Sequence, residues 1–450
     1  MDLGLSLQVG KYDVQKMLGK GATGTVYLAR DTFSGREVAL KTIEPEVFRD
    51  PEFGMFVAKL DRPWTETPFV FQGFVLKTEE QLDTLKKYCK KVYVDPEKRQ
   101  EVMSVKLLTL PTAARQVIAE QSREVVRGTV VYKELATVED ELPRARTAFT
   151  QTNAIVQSMS RAVVSGNALD GARARQAVSE ITDSVVRNPD AMMLLVTMRE
   201  KAQETLNRST QVSVYMTVFG RFLQLERGSL ELLGLIGLLQ DVGMLKLPAG
   251  IPARRADLTS AEDEDFKTHV SHGVEILSQT AGLPAELPGL ASLHHERYDG
   301  SGYPRGLKGS AISQTGAIAG IVDTFDMLTA PSPYGMQMPP SNALNVLYQN
   351  RGTQFHAALV EQFIQCVGAF PVGSVVELNT GEVGVVITQN LVKRLQPRVM
   401  VVQDANGNPI HPHKVLDLVK EPLARPGEPY RIRRTLDQTS VKIDSKELFL

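Results

Sequence analysis

Between residues 206 and 370 apolar side chains recur at helical spacing, and this stretch limits the fold more than any other. VYMTVFGRFLQL and SLELLGLIGLLQDVGML are apolar around most of the helix circumference, the pattern of helices buried in a core. The flanks read differently. Residues 137–205 lack Trp and Tyr, hold Ala, Arg, Glu and Val at helical spacing, and break at Gly166, Asp170–Gly171 and Asn188–Pro189. They predict two or three amphipathic helices connecting domains. From Pro371 the period changes to two, and SVVELNTGEVGVVITQN and PRVMVVQDANGNPI alternate around turns at Thr380–Gly381 and Asn406–Gly407. That predicts a small hairpin-rich β unit over 371–450. Its polar tail from Lys420 either wraps or frays. The whole is a mainly α chain with small mixed and β regions at its two ends.

The N-terminal part has two segments. Residues 1–53 read as short strands around Gly19-Lys20-Gly21-Ala22-Thr23-Gly24-Thr25-Val26, followed by Ala39-Leu40-Lys41. Such glycines let a backbone close over phosphates, and a spaced lysine can pair with them. The stretch resembles the first strands of a protein kinase small lobe, so Gly19, Gly21, Gly24 and Lys41 are its candidate nucleotide-binding residues. The resemblance stops there. The chain holds no H-R-D, D-F-G or A-P-E, so an active kinase is not expected. Residues 54–136 form a small α/β segment with a helix over EEQLDTLKKYC and a closing strand, KVYVD. Trp64, with Phe69, Phe71 and Phe74, is expected in its core. Lys86, Lys87, Lys90 and Lys91 form a basic helix face.

Composition sets bounds on function. Lys and Arg number 51 against 52 acids, a formal charge of −1, and hydrophobic residues make up 42%. This excludes a largely disordered chain and a strongly basic nucleic-acid coat. No nucleic acid, membrane segment or secretory signal is expected, and Cys89 and Cys366, far apart, point to a reducing cytoplasm. All 7 histidines lie from His269 onward, so no earlier residue supplies an imidazole.

The sharpest signal is His294-His295-Glu296-Arg297-Tyr298-Asp299-Gly300-Ser301-Gly302-Tyr303-Pro304. It resembles the HHExxDGxGYP signature of the HD-GYP family of metal-dependent phosphohydrolases. Gln240-Asp241-Val242-Gly243 stands where that family has His-Asp-Ile-Gly. His269 matches its next histidine ligand, and Asp323 matches the aspartate that closes the metal site. Residues 54–95 resemble the small domain that often precedes such domains. The resemblance implies an all-helical HD-type domain over 206–370, two or three irons or manganese, and hydrolysis of the bacterial second messenger cyclic di-GMP. Metal chemistry suits the reaction, because a phosphodiester needs an activated water and cations to absorb phosphate charge.

The departures matter as much as the matches. Gln240 offers a neutral amide where the family has an imidazole. The family's earlier histidine falls in LNRSTQVSVYM, which has none, and the lysine after the HD glycine is Met244. Asp241, His269, His294, His295 and Asp323 are left as candidate ligands. Two readings stay open: a reduced, mononuclear iron or manganese site, or a vestigial set bonded to itself or to water. His272, His356, His411 and His413 fall outside the set.

Asp299, Gly300, Gly302, Tyr303 and Pro304 form the loop that in the family shapes the pocket and contacts GGDEF-domain partners. Its persistence favours a preserved binding surface. The expected protein is a cytoplasmic bacterial regulator that senses cyclic di-GMP or docks a GGDEF-type partner, with a homodimer left open. The rival is an active phosphodiesterase working with fewer ligands.

Overall fold

The computed structural model describes residues 7–9, 12–21, 24–31, 37–42, 55–61, 74–76, 79–89, 92–95, 127–198, 208–248, 250–251, 258–329, 338–390 and 393–436. They fall into two compact units, Met1–Thr112 and Ala113–Leu450.

In the first unit, strands β1 (Leu7–Val9), β2 (Tyr12–Gly21), β3 (Gly24–Asp31), β4 (Glu37–Thr42), β5 (Phe56–Leu60), β6 (Phe74–Val75) and β7 (Val92–Asp95) form one sheet. Its order is β1-β2-β3-β4-β7-β5-β6. The kinase-like strands and the segment that follows are therefore hydrogen-bonded together, because β7 inserts between β4 and β5. Gly19 pairs with Val26 and Gly21 with Gly24, so the glycine stretch turns between β2 and β3. Lys41 on β4 pairs with Val26 on one side and Val94 on the other. Helix α1 (Glu79–Tyr88) places Leu82 and Leu85 on one face, where they pack with Cys89, Val57, Leu60, Leu76 and Val92. Lys86 and Lys87 are exposed on it as expected. Ala22, Thr23, Trp64, Phe69 and Phe71 lie outside the described residues.

The second unit is helical up to residue 367. Helices α2 (Val138–Val164), α3 (Gly171–Arg187) and α4 (Pro189–Thr197) begin at Thr137, Asp170 and Asn188, whose side chains each accept a backbone N–H of the first turn. These helices, expected to connect domains, pack within this unit. Glu141 of α2 is fully buried and accepts from Ser184 Oγ (2.7 Å) and Arg187 Nε (2.7 Å) on α3.

Helices α5 (Arg208–Phe222) and α6 (Arg227–Leu239) form the centre of the bundle, with Ser213 Oγ donating to the Gly234 carbonyl (2.8 Å). The segment Arg227–Lys246 is long and apolar enough, by length and composition, to cross a membrane, against the expectation of no such run. Its apolar residues are core: Leu230, Leu233, Ile236 and Leu239 are buried in the bundle. Next come α7 (Ser260–Lys267), α8 (His269–Ser278), α9 (Leu287–Ala291), α10 (Gln314–Thr329), α11 (Pro340–Gln349) and α12 (Ala357–Val367). Phe325 of α10 meets Phe363 of α12 edge-on at 5.2 Å, and Phe363 meets Phe219 of α5 at 5.1 Å.

The β unit carries both expected hairpins. Strands β8 (Val375–Leu378) and β9 (Val383–Thr388) flank Thr380–Gly381, and β10 (Arg398–Gln403) and β11 (Pro409–Asp417) flank Asn406–Gly407. The five-stranded sheet runs β11-β10-β9-β8-β14, in which β14 (Ile432–Thr435) returns to β8. The tail thus wraps, as far as it is described. A small hairpin, β12 (Leu423–Arg425) with β13 (Glu428–Pro429), precedes it. The Gln389 backbone N–H donates to the Asp190 carboxylate of α4 at 3.1 Å, and Arg398 pairs with Glu139 of α2 at 2.7 Å. These contacts seat the β unit on the helices.

Candidate metal centre

Four turns of chain deliver the centre. Gln240 caps the C-terminus of α6 and Asp241 opens the 3-10 turn Val242–Lys246. Gly243 in that turn approaches α8 so closely that a Cβ would lie 1.9 Å from the His269 carbonyl oxygen. Only glycine allows the contact that sets Asp241 beside His269. His269 begins α8, just after α7, whose start is fixed by a capping box between Thr259 and Glu262. His294 and His295 follow α9, and Asp323 sits inside α10.

Among the described residues, ligand atoms of Asp241, His269, His294 and His295 all lie within 4.8 Å of one another. Their tautomers follow from their outer contacts. His269 Nδ1 donates to the Phe266 carbonyl (2.6 Å) and His294 Nδ1 to the Ala291 carbonyl (2.7 Å), because a carbonyl can only accept. Both Nε2 atoms then turn inward, 3.4 Å apart, and reach Asp241 Oδ1 at 3.7 and 3.5 Å. His295 presents Nδ1 to Asp323 Oδ2 at 3.8 Å, and its buried Nε2 makes no hydrogen bond. Converging imidazole lone pairs beside a carboxylate are the donor set of a divalent transition metal. On this side the residues fit one ion.

The other side of the centre is already filled. Arg208, the first residue of α5, points its guanidinium at three buried or nearly buried carboxylates. It donates from Nη1 to Asp241 Oδ2, from Nη2 to Asp323 Oδ1 (2.6 Å), and stands with Nε 3.1 Å from Asp326 Oδ2. Gln240 turns its NH₂ group to the same Asp323 oxygen (3.0 Å), and its buried amide oxygen has no hydrogen-bond partner. Asp323 is 1% exposed, so a lone charge there would be costly without this compensation. Here the residues do not fit a second ion.

The electrostatics match that division. Burial disfavours the Asp241 carboxylate, but Arg208 and then His294 outweigh it and hold its pKa well below the usual range. Burial likewise works against the Arg208 charge and is overcome by Asp241, Asp323 and Asp326, so its pKa stands well above normal. Burial lowers His269 to about 4 and His295 well below its ordinary value. His294 is raised, because its contact with Asp241 overcomes burial.

The loop after the histidines closes the site. Glu296 is buried, and its carboxylate accepts the backbone N–H groups of Arg305 (2.9 Å) and Leu307 (2.8 Å), folding the loop back over the motif. Asp299 Oδ1 accepts the Ser301 N–H at 2.9 Å. Gly302 lies so near the chain that a Cβ would meet Arg297 N at 2.3 Å and the His295 carbonyl at 2.4 Å. Tyr303 stacks on His295 with ring centres 4.6 Å apart, and the Tyr303–Pro304 peptide is cis. Asp299 and Pro304 are exposed, while Gly300, Gly302 and Tyr303 are half-buried. A cleft of about 110 Å³ opens beside the centre, lined among others by Arg208, Arg297, His295, Tyr303 and Asp323.

Asp241, His269, His294 and His295 thus come together as one group, with Asp323 at its edge beside the guanidinium. His272 lies farther along α8, His356 caps α12, and His411 and His413 sit on β11. Gly19, Gly21, Gly24 and Lys41 belong to the first unit. Sequence reasoning missed Arg208, Asp326 and the role of Glu296. Asp326 was accessible, because it follows Asp323 by three positions and so shares its helix face. Arg208 stands inside LNRSTQVSVYM, where the earlier histidine was sought.

Comparison with known proteins gives the family. Residues 192–359 match the HD domain family, 52–174 a domain of unknown function, DUF3391, and 375–424 a KOW domain associated with HD domains. A cyclic di-GMP phosphodiesterase of Pseudomonas aeruginosa is 31% identical over 367 residues, 81% of this chain and 86% of that protein. A cyclic di-GMP phosphodiesterase response regulator of Xanthomonas campestris is 36% identical over 128 residues, 28% of this chain and 34% of its own length. A 3'3'-cGAMP-specific phosphodiesterase of Vibrio cholerae is 33% identical over 153 residues, 34% of this chain and 33% of that protein.

Proposed function

Given that this chain belongs to the HD-GYP family of HD-domain signalling proteins, we propose that it is a regulator that binds a cyclic dinucleotide and is impaired in hydrolysing it. The relatives' names supply the ligand class, cyclic di-GMP or its close analogue. The observation that carries the impairment is the guanidinium of Arg208 bonded to Asp241 and Asp323, with the Gln240 amide beside it. Carboxylates committed to a fixed cation are not free to serve a second metal, and a two-metal clamp on attacking and leaving oxygens is lost.

His269, His294, His295 and Asp241 would hold a single iron or manganese. When bound, such an ion supplies positive charge to a phosphodiester oxygen. The chain's own residues do the rest of the binding. Tyr303, stacked on His295, forms one wall of the cleft, and Arg297 lines it with Nη1 held by the His294 and Glu296 carbonyls at 3.1 and 3.0 Å. Asp299, Ser301 and Pro304, the exposed positions of the loop, are the surface offered to a GGDEF-type partner.

The rival reading is an active phosphodiesterase with a reduced ligand set, favoured by the intact convergence of the three imidazoles. Turnover of cyclic di-GMP with excess Fe(II) or Mn(II), followed as linear product, separates the two. Binding by calorimetry with no product above the metal-only control supports the regulator. Hydrolysis that disappears in His294→Ala sinks it.

A further inference from the structure

Asp241 faces both halves of the centre. Its Oδ1 looks toward the His269 and His294 nitrogens, while its Oδ2 accepts from Arg208. Building on the single-ion reading above, we propose that Arg208 is a tethered cation that replaces a second metal ion and limits the centre to one. Each guanidinium nitrogen serves a different acid: Nη1 Asp241, Nη2 Asp323 at 2.6 Å, and Nε Asp326 at 3.1 Å. A planar fork with a permanent charge suits this task, because it neutralises three oxygens in fixed directions and cannot lose its proton.

The guanidinium and a second ion would compete for the same oxygens. They would also repel each other at short range in a poorly solvated site. Gln240 completes the arrangement from the α6 side: its amide nitrogen donates to Asp323 Oδ1 at 3.0 Å, where an imidazole at this position would instead offer a lone pair. The two halves share Asp241, one oxygen facing the imidazoles and the other held by Arg208.

Metal counting tests the inference without any assay of turnover. The full chain is loaded with excess Mn(II), freed of unbound ion by gel filtration, and analysed for metal content and by EPR. The wild type is expected to hold a single Mn(II) with an uncoupled spectrum. The double variant Arg208→His with Gln240→His should hold a second, with the broadened spectrum of ions ~3.5–4 Å apart. Arg208→Lys, which keeps the charge, should stay at one.

Two ions in the wild type, or no more ions in the folded double variant than in the wild type, overturns the proposal. No ion in the wild type with a gain in the double variant overturns the single-ion reading while leaving Arg208 as the barrier. If the double variant does not fold, the wild-type count still decides, since a coupled pair there is incompatible with a guanidinium in its place.

Discussion

The two halves of the centre solve the same problem, buried polarity, by opposite means. On one side His269 and His294 turn their inner nitrogens toward a shared space, each fixed from behind by a backbone carbonyl. On the other a charged side chain is welded to three acids. The first half carries little uncompensated charge, because burial favours neutral His269 and His295 while His294 faces the Asp241 carboxylate. The second cannot be left without its cation, because three carboxylates in low dielectric would repel and lack solvation.

The largest effect should come from Arg208→Met, which keeps the bulk and removes the charge. Leaving the acids unpaired should cost about 3–5 kcal/mol in urea unfolding without added metal. A loss under ~1 kcal/mol would mean that the acids find protons or water instead.

His269→Ala probes the other half. Its metal-free cost should be about 2 kcal/mol, from a small cavity and an orphaned Phe266 carbonyl. Adding Mn(II) should raise the melting temperature of the wild type and leave that of this variant unchanged. An unchanged metal response would remove His269 from the ligand set.

Glu296→Gln is expected to cost about 1–2 kcal/mol, because a carboxamide replaces an anion accepting two backbone N–H groups. Binding of cyclic di-GMP should weaken more than stability does, as the loop loses its anchor. Equal effects on both would confine Glu296 to a folding role.

The smallest effect belongs to Asp190, a half-buried acid that has no guanidinium bonded to it. Burial pushes its pKa to about 7, the Gln389 N–H and the more distant Arg221 offsetting only part of that. The folded state therefore keeps a proton that the unfolded chain releases near pH 4, so stability falls as pH rises from about 4 to 7. Asp190→Asn should flatten that slope, stabilising the fold at pH 8 relative to pH 4, read from urea unfolding at both pH values. A parallel shift at both pH values would place the effect in packing.

Much of this was legible in the sequence because the signals are local. The hairpins announced themselves through period-two alternation around Gly381 and Gly407, and the caps Asp170 and Asn188 stood at the expected breaks. His294, His295 and Tyr303 are neighbours in the chain, so their motif survives being read as letters. The membrane-length run at 227–246 was harder, since apolarity alone does not separate a bundle core from a membrane span.

The order of residues alone specifies the candidate ligands: imidazoles only from His269 onward, an amide at 240, and the run that carries His294, His295 and Tyr303. It also determined the helical identity of the domain that holds them. What stands in the place of the missing imidazoles emerges only from the packing of the helices. Arg208 meets its acids across 33 and 115 positions of chain, on helices whose relative placement no local pattern encodes. A charge has no periodicity to betray its partner. Its counterions are set by the packing that removes water, and that packing exists only once the bundle has closed.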